Sequence, residues 1–166
     1  MKEWKTFFWF TLLVLLVGCQ ATEQIPEGYY DYEKAPVAEA ISTVSFNPET
    51  PQYVPMQVEF IISDPYQISG TTYEALDISF YSRNNDLLTY QVTDGFFEEL
   101  ADGEIVELDR AINGQYMTND FAQVLVWEKD GLSYKLEFRS SIIGKEASSG
   151  RVTKAELLKV AQSFQL

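Results

Sequence analysis

The sequence predicts an α+β domain: an antiparallel meander of about seven strands with one face packed by a C-terminal helix. Three observations carry this. Apolar residues recur every second position in several separate runs, most plainly Leu132, Tyr134, Leu136 and Phe138 against Ser133, Lys135, Glu137 and Arg139. That period describes a sheet with one dry and one wet face. Short turn signals separate the runs, so neighbouring strands are expected to be antiparallel. Only the last fifteen residues change to helical spacing, with Leu157, Leu158, Ala161 and Phe164 forming a stripe.

Taken in order, the chain opens with Lys2 and Lys5, then eleven residues from Phe7 to Val17 of which only Thr11 is polar, then Gly18-Cys19. As a helix the apolar run would span about 16 Å, roughly half a hydrocarbon core, too little to cross a bilayer. A basic start and a short apolar run are the parts of an export signal. Leu16-Val17-Gly18-Cys19 resembles the lipobox of bacterial lipoproteins, in which the bond before the cysteine is cut and its sulfur takes a diacylglyceryl group. Cys19 is the only cysteine, so without lipid an exported chain would carry a thiol with no disulfide partner. Two acyl chains on one residue suffice for stable anchoring. Residues 1–18 are therefore read as a signal peptide, and Cys19 as the lipidated first residue of a protein held on the outer side of the cell membrane.

Residues 19–35 are expected to be a flexible tether: polar, with Pro26 and Gly28, though containing Tyr29, Tyr30 and Tyr32. Residues 36–166 form the folded domain, long enough to bury a core without disulfides or metal. Pro36–Ser42 reads as a short helix with proline in its first turn. Met56, Val58, Phe60 and Ile62 are expected to point inward from the first long strand. Leu76, Ile78 and Phe80 do so from the second, and Leu88, Tyr90 and Val92 from the third, with Asn84-Asn85-Asp86 turning between them. Asn113-Gly114 is expected to join a strand over 105–112 to one over 115–119, and Asp130-Gly131 to close the next hairpin. Val124-Leu125-Val126-Trp127 is apolar on both faces and belongs mid-sheet or under extra cover. After a crossing loop over 140–150, Thr153-Lys154-Ala155-Glu156 has the form of a capping box.

The chemistry open to the chain is narrow. There is no histidine, and the one thiol is assigned to lipid, so neither a Ser-His-Asp or Cys-His apparatus nor a His/Cys zinc site can be assembled. A net charge of −13 repels phosphate backbones, so nucleic acid is not an expected partner. Removing the leader makes the chain one unit more acidic still. Glu98, Glu99, Asp102 and Glu104 are the densest carboxylates, but they lack the D-x-[DN]-x-[DN]-G order of a calcium loop. They read as a solvated hairpin end, and neither metal nor cofactor is implied. The candidate binding surface is the wet sheet face, with Asp77, Tyr81, Thr89, Gln91, Lys135 and Arg139. Phe96 and Phe97 are added because adjacent residues of an extended chain point opposite ways, leaving one free.

Several ordered features resemble one family. They are Phe46-Asn47-Pro48 followed by Pro51-Gln52-Tyr53-Val54-Pro55, then Ile112-Asn113-Gly114-Gln115-Tyr116. Trp127 with Gly131, Tyr134 and Leu136 comes next, and Thr153 with Glu156, Leu157, Leu158, Ala161 and Ser163 ends the series. Together these resemble an uncharacterised extracytoplasmic domain of Gram-positive bacteria, present in lipoproteins and on the outer side of single-pass proteins related to anti-sigma factors. The resemblance implies no activity and no catalytic residue. No sigma-binding segment precedes the apolar run, so a regulator of that kind is not expected.

The function expected from sequence is thus non-enzymatic: a lipid-anchored module that binds or supports another envelope component, with an envelope protein as the candidate partner. One alternative is a carrier holding a lipid or other hydrophobic ligand between sheet and helix, lined by Phe60, Phe80, Phe138 and Phe164. Another is a carboxylate-dependent wall hydrolase, which would need two acids converging in a cleft.

Overall fold

The computed structural model describes residues 24–98, 100–141 and 152–165. The leader with Cys19, Glu99 and residues 142–151 of the crossing loop lie outside the described residues. The elements run α1 (Lys34–Ile41), β1 (Thr50–Pro51), β2 (Val58–Gln67), β3 (Glu74–Ser82), β4 (Leu87–Thr93) and β5 (Glu104–Asp109). They continue with β6 (Ile112–Thr118), β7 (Gln123–Lys129), β8 (Leu132–Arg139), α2 (Lys154–Gln162) and β9 (Phe164–Gln165).

Seven strands form one antiparallel sheet in the order β2-β3-β4-β8-β7-β6-β5, and β1 pairs with β9 apart from it. The α+β class is as the sequence predicts. The strands form two meanders, β2–β4 and β5–β8, joined where β8 lies beside β4. The chain must therefore travel from the middle of the sheet to its far edge after β4.

Alternation decides the faces. Ile78, Tyr90, Leu136, Leu125 and Tyr116 stand side by side across five strands and are buried. Leu157, Val160 and Ala161 of α2 and Val37 and Ala40 of α1 join them in one core. Hydroxyl groups of the core tyrosines fasten the segment 49–51: Tyr90 donates to the Glu49 carbonyl at 2.8 Å and Tyr32 to the Pro51 carbonyl at 2.5 Å. Leu158, expected in the helix stripe, is only partly buried, and Val160 takes the deeper place.

Three expectations are corrected. Residues 29–35 are packed on the domain and do not belong to a tether: Tyr32 is buried against Phe80, Tyr29 stacks edge-on to Tyr53, and Tyr30 bridges to Val54. The helix accordingly starts at Lys34, two residues before Pro36. Phe60 and Ile62 point outward, because the ladder shifts register between Val58 and Phe60, and one extra residue reverses every side chain beyond it. Finally, Asn113-Gly114 is not a turn. The hairpin closes at Asp109–Ile112, and Gly114 sits inside β6 opposite Trp127. A Cβ there would lie 2.9 Å from the Val126 carbonyl oxygen, so the glycine serves a close approach between strands. By contrast, Asp130 and Gly131 both have positive φ, 53° and 80°, as a two-residue hairpin of this type requires.

The helix start is as expected. The Thr153 hydroxyl accepts from the Glu156 amide at 3.3 Å, while the Thr153 amide donates to the Glu156 carboxylate at 2.7 Å. Thr153→Ala removes half of that box and is expected to cost about 1 kcal/mol in denaturant unfolding. An unchanged midpoint would contradict the cap.

Candidate functional site

Because the helices cover one face, the opposite face of the sheet is what the domain can offer a partner. Its central row runs Asp64, Asp77, Gln91, Lys135, Val126, Gln115 and Ile105 across all seven strands. The next rows add Ile62, Ser79, Thr89 and Glu137, then Phe60, Tyr81, Leu87 and Arg139. All six strand residues singled out from sequence, Asp77, Tyr81, Thr89, Gln91, Lys135 and Arg139, thus share this outer face.

Polar contacts knit the middle of it. Gln91 Nε2 donates to Asp77 Oδ2 at 2.7 Å, and the Tyr66 hydroxyl reaches Asp77 Oδ1 at 3.3 Å. Lys135 lies 3.2 Å from Glu137, which also holds Arg139 at 2.5 Å. Burial pushes the Asp77 carboxyl above its ordinary range, and neighbouring Asp64 pushes the same way. Hydrogen bonds from Gln91 and Tyr66 and the Lys135 charge pull it back only in part. The folded state therefore holds the Asp77 proton more tightly than the unfolded chain does. Ionising it near neutrality costs stability that returns as pH falls through the folded value. Asp77→Asn is expected to be at least as stable as the parent at pH 7. The difference should vanish below about pH 3.9, the unfolded carboxylate value, in urea titrations across pH. A variant clearly less stable at neutral pH would contradict this.

The connection from β4 to β5 crosses the same face. Ser133 donates to the Gly95 carbonyl at 2.8 Å, and the Leu100 amide donates to the Gln115 side chain at 2.9 Å. At Val126 this crossing supplies the extra cover that the two-sided apolar run implies. Phe97, Glu98 and Val126 border both of two hollows, of about 250 and 300 Å³. Asn113, Gln115 and Glu128 line the first, Met117 and Lys135 the second. Phe96 turns the other way, 73% exposed, with its edge toward Tyr73. Of the acidic group, Glu104 pairs with Lys154 at 2.6 Å and Glu98 borders the hollows. Among the described residues, no three His, Cys, Asp or Glu side chains are placed to hold a metal ion.

The chain matches no protein-family model, no curated protein and no solved structure. The site must be read from its own geometry.

Two results bear on the alternatives. The rings expected to line a carrier groove are not brought together: Phe80, Phe138 and Phe164 are packed in the core, and Phe60 lies on the other side of the sheet. The alternation in β2, read in one phase throughout, concealed Phe60, Ile62 and Tyr66, which stand 50%, 53% and 40% exposed beside the sequence-selected residues. The visible signal was the unbroken run Phe60-Ile61-Ile62, which a half-buried strand in a single phase does not need.

Proposed function

We propose that this chain is a non-enzymatic, lipid-anchored extracytoplasmic lipoprotein whose domain binds another component of the envelope through the outer face of its sheet. The observation that carries the reading is Leu16-Val17-Gly18-Cys19 closing a short apolar run behind Lys2 and Lys5. The likeness to the Gram-positive extracytoplasmic domain family supports the same compartment. The Tyr29 hydroxyl meets the Glu156 carbonyl at 3.5 Å, and Lys159 lies over the Tyr29 ring, so the chain joins the domain on its helix side. Nine residues, Gln20–Gly28, separate that point from Cys19 and can reach about 32 Å at most. No helix among the described residues is long and apolar enough to cross a membrane.

Cys19→Ser tests this by cell fractionation. The parent is expected in the membrane fraction, and the variant, lacking the sulfur that takes the acyl chains, is not processed to the lipidated form. Membrane retention of a processed Cys19→Ser chain would overturn the proposal.

A further inference from the structure

The two edges of the sheet are unlike. β5 is six residues long, and Lys154 at the start of α2 reaches its Glu104. β2 runs ten residues, pairs among the described residues with β3 alone, and is exposed over most of its length. Unpaired backbone groups along such an edge are a template for another strand, and proteins commonly blunt the hazard with lysine. β2 carries no lysine or arginine; its charges are Glu59 and Asp64, and Asp77 stands beside Asp64 on β3. Its blunting devices are the register shift after Val58 and, third from the strand's end, Pro65. Between them Phe60 and Ile62 stand half-exposed on the outer face, and the Phe60 ring is held against Tyr81 at 4.6 Å and 13°. Large apolar groups fixed in place on an open edge lower the ordering cost of a partner that covers them.

We infer that β2 is a docking edge to which an extended segment of a partner protein adds as an eighth strand. This rests on the outer face being the domain's binding surface and names its partner's chemistry. Along that face β2 presents Phe60, Ile62 and Asp64 at successive outward positions. The matching segment carries two apolar side chains and then a basic one, the last meeting Asp64 and Asp77. Backbone pairing supplies affinity and these three positions supply selection. A second copy of this chain does not fit. Antiparallel pairing about Ile62 would set Asp64 against Phe60 of the other copy and join two strongly acidic chains.

The test is photo-crosslinking in intact cells, using the full chain with a photoreactive residue at Ile62 or, in separate strains, at Ile105 on the opposite edge. The expected result is an adduct from Ile62 at least ten-fold above that from Ile105. Its linked peptide, identified by mass spectrometry, should contain the apolar-apolar-basic pattern at alternate positions. Asp64→Lys, a change at an exposed residue, is expected to reduce it at least ten-fold. An adduct with lipid or with a second copy overturns the inference. So does an adduct formed equally from Ile105, one insensitive to Asp64→Lys, or none at all. Fractionation of the same cells scores the anchor separately, so a membrane-held chain without the adduct removes the docking edge and leaves the lipoprotein reading standing.

Discussion

Phe164→Ala is expected to lower the stability of the domain by about 3–5 kcal/mol, the largest loss from any single change considered. Phe164 lies past the end of α2, in the two-residue strand β9, yet it is nearly buried and stands edge-on to three rings. Trp127 and Tyr90 each lie 5.2 Å away, and Tyr134 at 6.0 Å, all close to perpendicular. Trp127 is in turn stacked on Tyr134 at 5.2 Å and 8°. Such pairs contribute beyond the area they bury. Removing the central ring leaves a cavity whose walls belong to three sheet strands, β4, β7 and β8, and cannot close without moving them. The same residue pairs with Pro51 through β9, so its loss also loosens β1. Phe96→Ala, at a ring 73% exposed, serves as control and is expected to change stability by about 0.5 kcal/mol or less. Urea unfolding of both variants decides it; a Phe164→Ala loss under about 1 kcal/mol would mean that the cluster does not hold the domain together.

Tyr90→Phe is expected to cost about 1–3 kcal/mol while leaving the ring's packing unchanged. The Tyr90 hydroxyl donates to the Glu49 carbonyl at the partly buried margin of the core, and the carbonyl loses that donor when the hydroxyl is removed. Burial holds the Tyr90 proton well above the ordinary phenol value, and the nearby hydroxyls of Tyr134 and Tyr32 and the charge of Glu49 act in the same direction. Burial raises Tyr32 and Tyr134 as well. For groups raised this way, the stability contribution is complete below the unfolded value, about pH 10, and is lost as pH climbs through the folded one. The parent should therefore weaken steeply above about pH 10, and Tyr90→Phe less steeply. Equal slopes, or an unchanged midpoint at neutral pH, would remove Tyr90 from this role.

The fold was legible where one residue type has one local use. The strict alternation of Leu132–Arg139 became β8 with the expected faces, and Thr153 with Glu156 became the cap. Asp130-Gly131 turned where its φ values allow. The same dipeptide logic failed at Asn113-Gly114, because a glycine also permits close strand approach, and sequence spacing does not tell the two uses apart. Partner choice was less legible still. Nothing in the order of strands announces that β8 returns to β4, although Val124 and Val126, apolar on the outer face, signal that something crosses β7. The six strand residues of the outer face follow from alternation alone, since odd and even positions must separate. Phe60, Ile62 and Tyr66 were missed for a related reason: a bulge reverses the phase, and no residue type marks a bulge uniquely.

The most direct measurement of the central claim is the mass of the N-terminal fragment of the native protein, purified from membranes. The account predicts a chain beginning at Cys19 whose thiol carries a diacylglyceryl group. A fragment with the leader still joined, or a mature terminus with an unmodified Cys19, would contradict it.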